Sequence, residues 1–343
     1  MFIMRLRCWN CVLLLAVIVA LVWPVAARAQ SCTTESKMTP AQRTLYQQAA
    51  HSLGTEVLAG NAAAVRANTI PAVAAQFASI AGSIEQVSPL VQKATLTVDA
   101  LYSLNAQDQK TNGSSNSGAN QAQFFCGFSS STLLVTVTIP NLPAGKYLLA
   151  ILHATGVQHP QQMTLLLQND PSGSASWKLA GLYIRPMTLA GHDGVWFWRK
   201  AQSFAAKKLN WNAYFYYRTA ALLLNPVDFL SSPNLQKLLK EEHEVVPAGL
   251  PGKQPMVVRA GGVNLDVTGL RPGNFSGQLD LVVDYKALGV SDPVSTRAQI
   301  VSLMKALLAA HPELREGFHG LWVYARYGSG QPFAIEIPMK QIE

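Results

Sequence analysis

The first thirty residues constrain this chain more than any later stretch. Arg5 and Arg7 precede an uncharged apolar run from Cys11 to Val22, Pro24 breaks that run, and Ala27-Arg28-Ala29 places small residues at an A-x-A cleavage site. This is the pattern of a secretory signal peptide over residues 1–29, with cleavage between Ala29 and Gln30. The arginines stay on the cytoplasmic side while the apolar run enters the translocase. An uncleaved anchor has the length of the Cys8 to Ala27 stretch in its favour, but Pro24 and the small residues favour cleavage. A lipid on Cys32 is not expected, because Gln30 fits a lipobox poorly. No later stretch approaches eighteen uncharged apolar residues, so no stable transmembrane segment is expected after cleavage. The expected location is periplasmic or secreted.

Export sets the redox state of what remains. Cys8 and Cys11 leave with the signal peptide, and Cys32 and Cys126 stay, an even number in an oxidising compartment. They read as a disulfide that ties the mature N-terminus to the first sheet. Loop-closure entropy sets its contribution at about 4–5 kcal/mol at most. The chain of 343 residues allows two or three domains, and with 49% hydrophobic and 13% charged residues it is too apolar for broad disorder. The net charge of +8 falls to +5 once Arg5, Arg7 and Arg28 are removed, leaving 24 basic residues against 19 acidic. That excess is dispersed. It suits contact with anionic envelope surfaces and lacks the clustered footprint of a nucleic-acid binder.

Along the mature chain, Thr39-Pro40 reads as the cap and first residue of a helix, with Leu45, Ala49, Leu53 and Val57 on one face and Gly60 at its end. Asn61 caps a second helix. Ile70-Pro71 begins a third with Val73, Phe77 and Ile80 on one face, followed by a further turn or two from Ile84 to Gln92. The period then switches to two. Strands are expected near 95–102, 123–128, 132–139, 147–153, 163–168 and 176–185, with a polar connection from Ala106 to Gln121.

Helices followed by a run of antiparallel strands mean an α+β fold. With its late strand Ala175-Ser-Trp-Lys-Leu-Ala-Gly-Leu-Tyr183, the segment 38–188 resembles the nuclear-transport-factor-like family, which includes polyketide cyclases. The resemblance implies a cone of helices against a bent sheet. The acidic and histidine residues that catalytic members place inside the cone have no residue-by-residue counterpart here, so no active site carries over. Gly194–Lys208 and Trp211–Leu224 read as a helical hairpin resembling one tetratricopeptide unit, with Ala201, Phe204, Ala213, Tyr217 and Ala220 at its small and aromatic positions. A third helix runs from Ser232-Pro233 to His243. After a Pro/Gly-rich linker, strands near 256–267 and 277–285, a helix near 295–311 and strands near 320–327 and 333–338 give a small two-layer β-β-α-β-β domain. The expected units are a cone-like domain over 30–188, a helical connector over 189–246 and a C-terminal domain over 256–343.

No G-x-S-x-G, H-E-x-x-H, P-loop or G-x-G-x-x-G pattern occurs, and thiol catalysis is not expected with both cysteines paired. The run Glu241-Glu242-His243-Glu244 cannot direct all four side chains at one ion, so it reads as a solvated helix end. His192-Asp193-Gly194 reads as a helix cap, and His153 and His159 as loop histidines. Neither metal nor cofactor is expected. The unusual feature is aromatic: Trp196, Trp198, Trp211 and Tyr217, interleaved with basic residues, are candidate binding residues, although four aromatics in a row over 214–217 point all around a helix and suit burial equally. Three functions remain in view. The first is non-catalytic binding of a small apolar ligand or an envelope protein partner. The second is hydrolase or isomerase chemistry using Asp99 or His153. The third is a structural envelope subunit. No oligomeric state is assigned.

Overall fold

Local caps start the helices where the sequence places them. Thr39 accepts from the Gln42 amide while the Gln42 side chain returns to the Thr39 amide, a capping box that opens α1 (Pro40–Leu58). Asn61 accepts from the Ala64 amide and opens α2 (Ala62–Ala67). The next expected helix divides differently. A single turn, α3 (Pro71–Ala74), ends early, and the long helix α4 (Ala78–Val91) begins at Ala78. The computed structural model describes residues 30–107, 121–127, 134–170, 176–287 and 289–343. The expected signal peptide, most of the polar connection and part of the turn at 170–173 lie outside the described residues.

Seven strands build the first half: β1 (Ser31–Thr34), β2 (Thr95–Asn105), β3 (Gln121–Gly127), β4 (Leu134–Pro140), β5 (Lys146–Thr155), β6 (Gln161–Asn169) and β7 (Trp177–Pro186). An antiparallel sheet has the order β1-β2-β5-β6-β7. β3 and β4 do not join it but form a second sheet. The reason lies in burial. β3 and β4 alternate buried and accessible residues, as strands with one covered face do, whereas Tyr147 to Leu152 of β5 are all buried. A strand buried at every residue needs cover on both faces. Leu148, Ala150 and Leu152 pack against Leu53 and Val57 of α1 and Ile84 and Val91 of α4, while Tyr147, Leu149 and Ile151 pack with Phe124 of β3 and Val137 of β4. The result is three layers: helices, sheet, sheet. Cys32 on β1 is bonded to Cys126 on β3. The bridge, expected to tie the N-terminus to the first sheet, therefore fastens that sheet, which β1 has joined, to the second. Beside it the Gln123 amide donates to Gln30 Oε1 at 2.6 Å.

A short ribbon of β8 (Thr188–Leu189) and β9 (His192–Asp193) turns through Ala190 and Gly191 and leads into α5 (Gly194–Ala206), capped by Asp193. α6 (Asn210–Leu224) packs against α5. The chain then returns to the first half, where β10 (Leu230–Ser231) pairs with β4 and completes the second sheet in the order β10-β4-β3. Ser232 caps α7 (Pro233–Glu244).

The C-terminal part carries β11 (Met256–Ala260), β12 (Val263–Phe275), β13 (Gln278–Lys286), α8 (Pro293–Ala310), α9 (Leu314–Gly317), β14 (Gly320–Arg326) and β15 (Phe333–Pro338). Its strands lie side by side in chain order, and only the β13–β14 pair, joined through α8 and α9, is parallel. One more strand is present than the expected β-β-α-β-β order. Gly261 and Gly262, at φ 59° and 84°, turn the stretch 256–267 back on itself as a hairpin. α8 buries Ile300, Met304, Leu307 and Leu308. The α5–α6 pair shares this core, with Phe197, Phe204, Phe215 and Tyr216 in one cluster with Leu281, Ile300, Phe318 and Leu321. Tyr216 donates to the Gly317 carbonyl at 2.6 Å, at the end of α9, and Asn212 to the Glu313 carbonyl at 2.5 Å, which also accepts from the Glu316 amide. Among the described residues no helix is long and apolar enough to cross a membrane.

Because the bridge closes a separation of 94 residues, its loss acts mainly on the unfolded chain. Replacing Cys32 and Cys126 together by Ser is expected to lower stability by about 2–4 kcal/mol. Urea unfolding followed by circular dichroism measures it, and an unchanged midpoint would contradict a stapling role.

Candidate functional site

The end of α6 is held on the first sheet by polar side chains that are otherwise out of place there. The last carbonyls of a helix have no intrahelical partner. Gln162 donates to the Leu223 carbonyl at 2.9 Å, Thr164 to that of Pro226 at 3.1 Å, and Arg185 to that of Asn225 at 2.9 Å. Gln162 and Thr164 are buried on β6. Their polar groups are satisfied only because the helix end lies over them.

Beside this junction lies a cleft of about 300 Å³, the lower end of the range for small-molecule sites. Ile151, Met187, Val195, Leu223, Leu224 and Pro226 supply apolar wall. Asp99, His153, Gln162 and Asp193 supply the polar groups. Asp99 reaches the cleft because it is the extra residue of a β-bulge in β2, between Val98 opposite Leu152 and Ala100 opposite Ile151. Its Oδ1 stands 3.7 Å from Nδ1 of His153. Asp193 accepts from the Trp196 amide at 2.8 Å and so neutralises the start of α5. At Gly194 an added Cβ would meet Leu224 Cγ at 2.5 Å, so only glycine lets α5 start this close to the end of α6.

With two carboxylates and one imidazole, the cleft presents mainly acceptors. It suits an apolar body carrying a hydrogen-bond donor or a cation. None of its eleven lining residues is Ser, Thr, Cys or Lys, so the lining offers His153 no hydroxyl, thiol or amine to activate. A second cleft of about 400 Å³ on the other side of α6 is lined by ion pairs, Arg185 with Asp228 at 2.7 Å and Arg218 with Glu242 at 3.7 Å. Its charges already satisfy one another.

The aromatic candidates come together, but not as one open surface. Trp211 and Tyr217 are buried, and Trp196 and Trp198 are half-buried. Trp198 donates to Glu241 at 2.6 Å, and Tyr217, also hydrogen-bonded to Glu241, has its hydroxyl pKa raised by burial and by that carboxylate. Trp196 stacks on His192 with ring centres 3.6 Å apart. Trp211 lies against His311 at 4.0 Å. The run 241–244 is committed to neighbours: Glu241 accepts from Trp198 and Gln202, Glu242 faces Arg218, and Glu244 faces Lys240. His153 meets Asp99 rather than pairing with His159. Asp99 and His153 stand out in the sequence as acid–base candidates. Gln162, Met187 and Leu224 carry no local signal, since each reads as an ordinary strand, loop or helix residue.

No family model, no curated protein and no solved structure matches the chain.

Burial lowers the pKa of His311 from 6.5, and Glu313 opposes the shift. The folded chain therefore takes up this proton less readily than the unfolded one. The associated stability is present above pH 6.5 and is lost as the pH falls below that value. The wild type is expected to melt at lower temperature at pH 5 than at pH 7.5, with a smaller difference in His311→Gln. Equal slopes in thermal scans of the two would contradict the burial effect.

Proposed function

We propose that this chain is an exported, non-catalytic binding protein, and that its ligand is a small apolar molecule with one hydrogen-bond-donating or cationic group. The observation that carries the reading is the cleft at the end of α6. Six apolar residues wall it, and the Asp99–His153 pair stands 3.7 Å apart in it. The apolar body would lie against Leu223, Leu224 and Met187, with its donor toward Asp99. The reading includes removal of residues 1–29 and a periplasmic or secreted location. A disulfide between Cys32 and Cys126 supports an oxidising compartment.

A second reading, acid–base chemistry on a bound substrate, rests on the same Asp99–His153 geometry, with the carboxylate orienting the imidazole. It is the weaker one because no hydroxyl, thiol or amine lines the cleft beside the pair. The resemblance of 38–188 to the nuclear-transport-factor-like family belongs with either reading, as a proposal about ancestry.

N-Phenyl-1-naphthylamine, apolar with one N–H donor, tests the cleft. Wild-type protein is expected to bind it saturably with a fluorescence increase. Val195→Trp, at a position 41% exposed on the cleft wall, is expected to weaken binding about tenfold, or about 1.4 kcal/mol, without changing the melting temperature. Equal affinity in the two proteins would sink the cleft as the binding site. The intact mass of protein secreted from its own N-terminus tests the export reading. The expected mass begins at Gln30 and is two hydrogens light. A chain still carrying residues 1–29 would refute cleavage.

A further inference from the structure

The C-terminal sheet has a second polar centre, far from the cleft in sequence and formed by strand register alone. α8 covers one face through Leu281, Val283, Leu321 and Val323. The alternate residues Asp280 on β13, Gly320 on β14 and Glu336 on β15 belong to the other face, and His319 directly precedes β14. An Asp280 carboxylate oxygen, a His319 ring nitrogen and a Glu336 carboxylate oxygen all lie within 4.8 Å of one another.

Three further observations bear on what this cluster does. Asp280 is 1% exposed, and its side chain is hydrogen-bonded to the Gly320 amide and to His319 Nδ1, the latter at 3.2 Å. Glu336 Oε1 is buried and has no hydrogen-bond partner. A buried carboxylate oxygen without a donor, set beside a second buried carboxylate, is unfavourable unless a cation joins it. Two arginines of this face are engaged elsewhere: Arg271 and Arg326 both bind Asp284, Arg326 at 2.6 Å. Finally, an added Cβ at Gly320 would stand 2.7 Å from Glu336 Oε1 and 3.2 Å from Asp280 Oδ1. A glycine therefore keeps the gap between the two carboxylates open.

We propose that Asp280, His319 and Glu336 form a binding site for a divalent transition metal of the zinc class. One imidazole nitrogen with two carboxylate oxygens is a donor set for zinc, whereas magnesium and calcium favour all-oxygen sites. Ligands of a tetrahedral zinc stand about 3.4 Å apart for bonds near 2.1 Å. The 3.2 Å between His319 Nδ1 and Asp280 Oδ1 already matches such an edge. Glu336 Oε1 supplies the third donor that the protein alone leaves unpaired. Three protein ligands leave one coordination position, and the His319 side chain, 45% exposed, marks the open side. The sequence carries no metal motif for this site because its members are 39 and 17 residues apart along the chain.

Zinc itself is the probe. Tag-free, EDTA-stripped protein is titrated with Zn²⁺ against a chromophoric chelator. One equivalent is expected to bind. Glu336→Gln, which keeps the side chain's shape, and His319→Ala, at an exposed position, are each expected to weaken binding at least about tenfold. His51→Ala, at an exposed histidine on α1, is expected to bind as the wild type does. The proposal is overturned by no saturable zinc binding to the wild type, by wild-type affinity in Glu336→Gln, or by displacement of zinc by equimolar Mg²⁺ or Ca²⁺. Should His319→Ala melt at a lower temperature, the isosteric Glu336→Gln decides the result.

Discussion

The carbonyl groups at the end of α6 organise the molecule. Gln162, Thr164 and Arg185 take up the carbonyls of Leu223, Pro226 and Asn225, and in doing so dock the α5–α6 pair on the first sheet. A buried amide and a buried hydroxyl on a central strand are costly unless paired. The sheet therefore needs the helix end as much as the helix end needs the sheet. The cleft is the space left beside this junction, bounded on one side by the Asp99 bulge and on the other by the start of α5.

The two ends of the α5–α6 pair are held by the same device. Tyr216 and Asn212 bond carbonyls at α9, while the last turn of α6 offers its own carbonyls to the first sheet. In the first case the helix supplies donors, in the second acceptors. Burial pushes the Tyr216 hydroxyl up to about 12, so it stays a donor at any ordinary pH. The aromatic residues between these anchors fill the space around them. That accounts for the run Tyr214-Phe-Tyr-Tyr217 as packing: Phe215, Tyr216 and Tyr217 are buried, and Tyr214 lies beside Arg218.

Features decided within a few residues were legible in the sequence. Thr39, Asn61, Asp193 and Ser232 all cap the helices they were expected to cap, because a cap needs only a side chain and an amide three residues on. The pair of cysteines was legible for a similar reason, being the two that lie outside the expected signal peptide. Features decided by pairing at a distance were not. The paired residues of β4 and β10 are more than ninety positions apart, and nothing in Thr136 or Val137 identifies Ser231 and Leu230 as partners. One clue went unread. The unbroken apolar run Leu148 to Leu152 already implies cover on both faces of β5, and hence three layers rather than two. Gly261-Gly262 was a second such clue, hidden by the β-branched residues around it. At the cleft, Asp99 and His153 were legible as chemistry but not as neighbours, because a bulge has no fixed sequence signature.

The return of the chain at β10 has a consequence for any attempt to divide the protein. Thr138 donates to the Phe229 carbonyl, and Val137 and Thr136 pair with Leu230 and Ser231. A fragment stopped at residue 188 would lose that strand and leave β4 as a bare edge. It would also leave Gln162 and Thr164 without acceptors on a face stripped of Val227 and Leu230. An open edge beside uncovered apolar residues is a template for strand addition. The first half of the chain is thus contiguous in sequence only up to a point: its last strand is supplied from beyond the helical hairpin, and the bare β4 of a severed first half would be left to pair edge to edge with that of another copy.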